Sequence, residues 1–594
     1  MALVKIKIDG KELEAEEGKT ILQVAQDNGI DIPTLCNHAA LLPVGGCRIC
    51  VVQAGPGTLK PACATPIAPN MDVATDSSEI REARMMVLQL LFGERNHYCM
   101  FCESTGQCEL QDLGYKLGLD HFEFFPYEKR FPEDVTHPYI LVDQNRCILC
   151  RRCVRACADL GGHWVLGVKN RGYQSLIDID MDAPFHNSSC TSCGLCVQVC
   201  PTGTLVDKRA SYLGRKDQAE MILSRCDRCP VGCGLEVYRR SNYILKIYGD
   251  WNCPTNGGVT CKLGRYVPLY DDRPRLTTPK LKEAGVWTPT SAEKAAQWMA
   301  GKLGDAVVVV EGSLSNEDLA ALKSLFGERV FSLQDVAPPL PATAKLQDLA
   351  DADTYLVIGV DLNREYGTVG SLIKRRTIPG TAKLVLVDDG FNSLAVSTNF
   401  VFSMKDLDSA LAEARKGQKV VIVYSHLREV VAEALKGESQ FTPTNRKNGD
   451  SLGTPQYGDS PGAPQFLTLF LPYESNTLGL AQAGIGPGVW PSKSALERLP
   501  SSEAGSEGTV FFVGENLRDL KSRVRGATLV ALTPFETDEV KAADLIVPIP
   551  AVFEGEGSFV GMDGEVLRKE RILEPGEGVR SVSAWVALIE AQRK

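Results

Sequence analysis

At 594 residues, with 44% hydrophobic and 23% charged side chains, the chain is far too long for one core and globular in composition, so several domains are expected. A formal net charge of -10 and a pI near 5.5 leave no electrostatic footprint for nucleic acid or an anionic membrane surface. No apolar run reaches the roughly 18 residues of a membrane helix, and all 20 cysteines lie at or before Cys261, so a cysteine-rich front is followed by a cysteine-free back.

Met1-Ala2-Leu3 runs straight into a strand pattern without a secretory leader. The cysteines therefore read as thiolate ligands in a reducing, cytoplasmic setting, with a peripheral seat on the cytoplasmic face of a membrane complex allowed. Residues 3 to 8 alternate apolar and polar, Asp9-Gly10 is a hairpin turn, and Thr20-Ile21-Leu22-Gln23 carries a capping box, which gives strand, turn, strand, helix. Cys36, Cys47, Cys50 and Cys63 follow, spaced C-x10-C-x2-C-x12-C, with Gly45-Gly46 ahead of Cys47 to let the backbone approach a cluster. A four-cysteine zinc site is the alternative for this spacing. Gly-Gly-Cys-Arg-Ile-Cys and Pro-Ala-Cys-Ala-Thr-Pro resemble the [2Fe-2S] domain of NADH dehydrogenases and iron-only hydrogenases, although the spacing departs from the plant type. The resemblance implies a β-grasp [2Fe-2S] ferredoxin domain over residues 1–78.

A helical stretch near residues 79 to 92, with Met85, Met86, Leu88, Leu90 and Leu91, leads to Asn96-His97-Tyr98-Cys99-Met100-Phe101-Cys102 and Gly106-Gln107-Cys108. Three cysteines leave a cubane one ligand short; His97 is a candidate for the fourth, although a lone histidine is more often a surface or core residue. This resembles the one-histidine, three-cysteine [4Fe-4S] site of complex I and its hydrogenase and formate dehydrogenase relatives, over residues 79–120. Only Tyr98 separates His97 from Cys99, which looks more like the soluble NAD-linked branch. Phe122, Phe124, Phe125, Tyr127 and Phe131 make an aromatic, proline-containing stretch that reads as packing around the clusters, since no basic groove accompanies it.

Cys147, Cys150, Cys153 and Cys157 are repeated as Cys190, Cys193, Cys196 and Cys200, the second run closed by Pro201. This doubled C-x2-C-x2-C-x3-C is the two-cluster bacterial ferredoxin signature, in which the fourth cysteine of each run crosses to the other cluster. Cys147, Cys150 and Cys153 therefore pair with Cys200, and Cys190, Cys193 and Cys196 with Cys157, in a domain of residues 136–210. Arg151, Arg152 and Arg155, between these ligands, either offset cluster charge or lie in solvent. Next come Cys226, Cys229, Cys233 and, after 27 residues, Cys261-Lys262-Leu263-Gly264-Arg265. This is similar to the [4Fe-4S] segment that opens molybdopterin oxidoreductases and the large subunit of complex I, and gives a domain of residues 219–275. Nineteen cysteines and His97 are thus assigned, and Cys253 is left as a buried spare thiol.

Residues 276–594 turn to apolar runs separated by helical segments. Val307–Val310, Tyr355–Val360, Leu384–Val387, Val420–Tyr424, Phe466–Leu471, Val510–Val513 and Leu545–Val547 read as buried strands of parallel sheets. Ser315-Asn316-Glu317-Asp318 opens a helix that Gly327 ends, and residues 439 to 465 are a loop. Leu356-Val357-Ile358-Gly359, Lys383 to Asp388, Asn476 with Gly479, Ala543 to Pro548 and Glu554 to Phe559 resemble the molybdopterin oxidoreductase fold. No cysteine is available for molybdenum, and the family's last barrel-like domain is missing, so no molybdopterin is expected. Isolated Gly359 and Gly514 are weak evidence for a nucleotide.

The fold class is therefore multidomain α+β and α/β. Nearly the whole length resembles the family of the NADH-quinone oxidoreductase G-subunit (the 75 kDa subunit of complex I). That implies an iron-sulfur electron-transfer subunit with one [2Fe-2S] and four [4Fe-4S] clusters and no catalytic residues of its own. Its implied partners are a flavin-bearing NAD(P)H-oxidising subunit with FMN and a [4Fe-4S] cluster, a thioredoxin-like [2Fe-2S] subunit and, at the far end, [NiFe] hydrogenase subunits or the complex I hydrophilic arm, with ferredoxin as a further exchange partner. The short histidine spacing tilts the reading to an NAD-linked hydrogenase, electron-bifurcating types included. Complex I and an NAD-dependent formate dehydrogenase are the alternatives, and a zinc-binding scaffold is the third reading.

Overall fold

The computed structural model describes residues 2–55, 57–121, 123–124, 130–332, 344–425, 465–470, 508–515, 527–563 and 565–593. Phe122, Phe125, Tyr127, Leu471, Asn476, Gly479 and the loop expected over 439 to 465, apart from Gln465, lie outside them. The chain forms two compact units, residues 1–220 and 221–594.

In the front unit, strands β1 (Leu3–Ile8), β2 (Lys11–Glu16), β3 (Val51–Ala54), β4 (Leu59–Pro61) and β5 (Met71–Ala74) form a mixed sheet in the order β2-β1-β5-β3-β4. The alternation of β1 buries Val4, Ile6 and Ile8 on one face. Helix α1 (Ile21–Asp27) covers that face with Ile21, Leu22, Val24 and Ala25, and Thr20 and Gln23 close its capping box. Asp9 and Gly10 both take positive φ, 51° and 78°, which makes the hairpin turn whose twist suits antiparallel strands. Helix α2 (Ser78–Glu94) is capped by Ser77 and delivers the chain to Asn96 and His97, while α3 (Glu109–Leu117) starts directly after Cys108 and stops at Gly118 with φ 73°. Beyond it, β6 (Glu133–Asp134), β7 (Ile140–Asp143) and β10 (Leu205–Asp207) form a three-stranded sheet, and β8 (Leu166–Lys169) pairs with β9 (Leu176–Ile179). The short helices α4 (Arg152–Arg155) and α5 (Leu195–Val199) follow the two ferredoxin-type cysteine loops.

In the back unit, β11 (Glu220–Arg225), β12 (Gly234–Arg240) and β13 (Tyr243–Gly249) form a small sheet, and α6 (Lys262–Arg265) follows Cys261. A seven-stranded sheet then runs β15 (Val286–Pro289), β14 (Lys280–Glu283), β25 (Leu545–Pro548), β24 (Thr528–Thr533), β23 (Thr509–Val513), β16 (Val307–Val310) and β17 (Val330–Ser332). A five-stranded parallel sheet runs β20 (Phe400–Phe402), β19 (Lys383–Val387), β18 (Thr354–Ile358), β21 (Lys419–Tyr424) and β22 (Gln465–Phe470), and β26 (Gly557–Val560) pairs with β27 (Val566–Lys569). Both faces of the central strands are buried. Val308, Phe511, Val530 and Leu545 enter one core while Val309, Phe512, Ala531 and Ile546 enter another, which is why these runs are continuously apolar. Helices α7 (Ala292–Ala300) and α8 (Asn316–Phe326) pack on the first core with the terminal helix Val582–Ala591, whose Trp585 is fully buried and donates Nε1–H to the Pro548 carbonyl at 2.8 Å. Cys226, Cys229, Cys233 and Leu235 share a core with Tyr355, Leu384, Val421 and Phe553.

Candidate metal centres

The four cysteines of the first motif hang from the loop after α1 and the ends of β3 and β4. Cys36, Cys50 and Cys63 are each 1% exposed. Their sulfurs lie within hydrogen-bonding reach of one another, Cys36 with Cys47 and Cys63, and Cys50 with Cys63. Backbone amides join them: Cys36 N–H donates to Cys47 Sγ at 3.4 Å and Cys47 N–H to Cys36 Sγ at 3.5 Å. Gly45 holds φ 62° and a Cβ there would stand 3.2 Å from that of Ala64, so glycine is set by backbone conformation at Gly45, whereas a Cβ at Gly46 would make only an ordinary contact with Val44 Cγ2 at 3.8 Å.

His97, Cys99, Cys102 and Cys108 ring one small hollow with Phe92, Arg146, Thr202 and Gly203. The Leu91 carbonyl accepts a hydrogen bond from the His97 ring, while Nε2 is buried without a partner. One nitrogen thus keeps its proton on a backbone carbonyl and the other offers a lone pair to the hollow, the arrangement of a ligating imidazole with its outer support. Burial, then Arg146 and Arg95, push this imidazole down to about 3, so it is neutral and able to donate that lone pair. Gly203 lets the chain after Cys200 pass, since a Cβ there would fall 2.5 Å from Cys102 Sγ.

The eight-cysteine stretch gives two further hollows. Cys147, Cys150, Cys153 and Cys200 ring one, and Cys157, Cys190, Cys193 and Cys196 the other, so each run sends its last cysteine to the opposite group. The loops repeat in backbone detail. Leu149 and Arg151 take φ 52° and 58°, Ser192 and Gly194 take 58° and 72°, and Leu149 N–H and Ser192 N–H donate to Cys147 and Cys190 Sγ at 3.4 and 3.3 Å. Successive left-handed residues turn amides inward, a concavity suited to an anionic group. Arg152 is buried and holds Glu109 in a bidentate pair at 2.6 and 2.8 Å, Arg155 donates to the Leu42 and Cys36 carbonyls, and Arg151 is exposed. The three arginines therefore divide: Arg152 and Arg155 serve as internal ties, while Arg151 is exposed and also lines the Cys147 hollow. Thr202 lines both the His97 and the Cys147 hollows.

In the back unit, Cys226, Cys229, Cys233 and Cys261 are close enough to perturb one another electrostatically. Gly264 and Gly367 leave room, since Cβ atoms there would lie 3.0 Å from Cys226 Sγ and 2.8 Å from Cys261 Cβ. Cys233 Sγ is 3.3 Å from Thr368 Oγ1. Cys253 is buried, accepts a hydrogen bond from Arg225 Nη1 at 2.9 Å and acts electrostatically on Cys233.

Do these donors fit iron-sulfur clusters? Among the described residues no three His, Cys, Asp or Glu side chains close on one point as around a single ion. A cubane instead binds each ligand at a different iron, so its ligands ring a space. Burial and mutual repulsion push the thiols of Cys147 up to about 11 and of Cys108, Cys190 and Cys233 up to about 12, and those of Cys153, Cys196, Cys226 and Cys229 well above the usual range. Thiolates crowded in such hollows need cationic iron as counter-charge, and the orphaned His97 nitrogen needs a Lewis acid, so the donor sets fit the group. Residue spacing singled out these cysteines; Arg146 and Gly203 come to the His97 hollow through tertiary structure.

Family models match in the same order along the chain: a 2Fe-2S iron-sulfur cluster binding domain at residues 1–78, the NADH-ubiquinone oxidoreductase-G iron-sulfur binding region at 84–123, the NADH-quinone oxidoreductase subunit 3 ferredoxin-like domain at 137–206 and the molybdopterin oxidoreductase Fe4S4 domain at 220–270. The NADH-quinone oxidoreductase G-subunit 2 of Rhizobium meliloti is 27% identical, over 100% of this chain and 80% of its own. The alpha subunit of NADPH-Fe(3+) oxidoreductase of Geobacter sulfurreducens is 25% identical over 99% and 81%. An NADP-reducing hydrogenase subunit of Solidesulfovibrio fructosivorans is 39% identical over 35% of this chain and 36% of its own. Among the described residues no helix is long and apolar enough to cross a membrane.

Proposed function

We propose that the chain is an iron-sulfur electron-transfer subunit of the NADH-quinone oxidoreductase G-subunit family, serving an NAD(P)H-linked complex, and that it holds one [2Fe-2S] and four [4Fe-4S] clusters without catalysing a reaction of its own. Cys36, Cys47, Cys50 and Cys63 would hold the first; His97, Cys99, Cys102 and Cys108 the second. The crossed quartets of Cys147 with Cys200 and Cys190 with Cys157 would hold two more, and Cys226, Cys229, Cys233 and Cys261 the last. Clusters bound there would supply one-electron uptake and release. The chain's own residues grip, desolvate and tune. Burial of the cysteines excludes water, the Leu149 and Ser192 amides donate to ligand sulfur, and the Leu91 carbonyl holds the His97 proton.

The observation that carries this reading is the unpartnered Nε2 of His97 amid three cysteine sulfurs that ring a hollow, where among the described residues no such group closes on one point as a zinc site of three cysteines and one histidine would. A flavin-bearing NAD(P)H partner on one side and a [NiFe] hydrogenase on the other is favoured by the short His97–Cys99 spacing, and the 39% identity to an NADP-reducing hydrogenase subunit, over 35% of this chain, supports a hydrogenase setting. Full-length similarity to a complex I G-subunit favours, as second reading, a complex I arm. Anaerobic purification of the complex tests the proposal. A brown subunit with about 18 irons and matching acid-labile sulfide supports it, as does electron paramagnetic resonance of one binuclear and four cubane centres. Zinc, or stoichiometric molybdenum, would overturn it.

A further inference from the structure

Arg155 stands midway between Cys153 and Cys157, cysteines that line different hollows. Its side chain reaches a third group. Nη2 donates to the Cys36 carbonyl and Nη1 to the Leu42 carbonyl, so the planar fork of one guanidinium holds both ends of the loop that opens the first cysteine motif. Residues 36–42 form neither helix nor strand, and the Ala40 and Leu41 amides donate within the loop, to His38. Arg155 thus ties the backbone of a cysteine in the first group to the helical stretch that carries Cys153 and Cys157.

Apolar packing makes the same junction. Ile148, inside the loop between Cys147 and Cys150, shares a buried core with Leu35 and Ile49, the residues before Cys36 and Cys50, and Cys47 and Cys150 pack against it. The first group and the Cys147 group therefore meet across a few side chains. The Cys108 group reaches that core through Leu110 and Leu113, but its polar tie is a different one, the bidentate pair of Arg152 with Glu109 at 2.6 and 2.8 Å. Arg152 and Arg155 lie one turn apart on α4, and each fastens one neighbouring group to the Cys147 loop.

Building on the cluster assignment, we propose that Arg155 is a positioning residue for electron exchange between the [2Fe-2S] cluster at Cys36 and the cubane at Cys147, acting by fixing their separation. One electron leaves the first cluster and enters the second, with no bond formed or broken. Tunnelling falls exponentially with distance, and two charge-assisted hydrogen bonds hold an irregular loop in place where apolar contact alone leaves it free to shift. The test uses the cluster-loaded complex, with electron paramagnetic resonance reading the magnetic coupling between reduced clusters and freeze-quenched reduction reading the rate. Arg155→Met keeps the length of the side chain and removes both donors. With full iron it should weaken the coupling of the Cys36 and Cys147 centres and slow exchange between them about tenfold, with both reduction potentials unmoved. The coupling of the Cys147 and His97 centres, tied through Arg152 instead, should keep its parent value. Arg155→Lys, with one ammonium for two carbonyls, should fall between. Parent-like coupling and rate in Arg155→Met would overturn the proposal, as would equal weakening at both pairs, which is general loosening, or slower exchange from a shifted potential with coupling unchanged. If Arg155→Met loses iron from the first site, Arg155→Lys decides: full iron with weakened coupling of the Cys36 and Cys147 centres supports the proposal, and parent-like coupling or a second loss of iron overturns it. A parent complex without iron would instead remove the cluster assignment.

Discussion

Residues 1–220 surround four groups of cysteine and histidine side chains, the proposed cluster ligands, and around the later ones the elements are short, β6 of two residues, α4 of four and α5 of five. In residues 276–594, by contrast, strands of four to six residues such as β16, β21 and β24 bury both faces against helices. Elements as short as those of the front are marginal alone. The difference teaches that apolar burial fixes the back and the β1–β5 sheet of the front, while around the short elements the proposed cluster ligands take much of the interior, so that on this proposal metal binding and folding are one equilibrium there.

The comparison is broken most severely by removing iron. Anaerobic treatment with chelator and reductant should open the ligand loops to protease over residues 30–210, while the sheets of residues 276–594 stay protected; mass spectrometry of the cleavage sites reads this, and equal protection of both regions would contradict it. Next in size, Cys200→Ala should cost one cubane's share of iron, with the lost signal being that of the site of Cys147, Cys150 and Cys153 rather than of the nearer Cys190, Cys193 and Cys196. On the other side of the comparison, Trp585→Ala removes a fully buried side chain and its hydrogen bond. It should destabilise the back by about 3–5 kcal/mol in denaturant unfolding with iron content unchanged. Acid sharpens the contrast within the front. The His97 imidazole is pushed down to about 3 from its ordinary 6.5, so between those values the opened chain takes up a proton that the folded one refuses. Stability of this site should therefore be full above pH 6.5 and fall as pH drops toward 3, an effect that hydrogen exchange near residues 91–110 would reveal. Smallest, Ser315→Ala removes the cap that accepts from Asp318 N–H at 3.1 Å and should cost about 1 kcal/mol, again without touching iron.

What was legible in the sequence follows the same division. Cysteine spacing singled out groups of side chains that the structure brings together, four in front and one behind, because their intervals are local except for the crossed fourth cysteines and Cys261. The strands at Val307, Leu384, Val420 and Val510 were visible because strands buried on both faces are unbroken apolar runs. The strand Thr528–Thr533 and the hairpin Lys280–Pro289 passed unread, the first because Ala and terminal Thr dilute the run, the second because its exposed residues carry little apolar signal. The roles of Arg152 and Arg155 were not legible, since their partners Glu109 and Cys36 are distant in sequence.

The most direct test of the account is the iron, acid-labile sulfide and zinc content of the anaerobically purified subunit, measured together with its paramagnetic signals. The account predicts about 18 irons per chain, with one binuclear and four cubane signals and one cubane bearing a nitrogen ligand that disappears in His97→Cys. A colourless subunit carrying zinc in place of iron would contradict it.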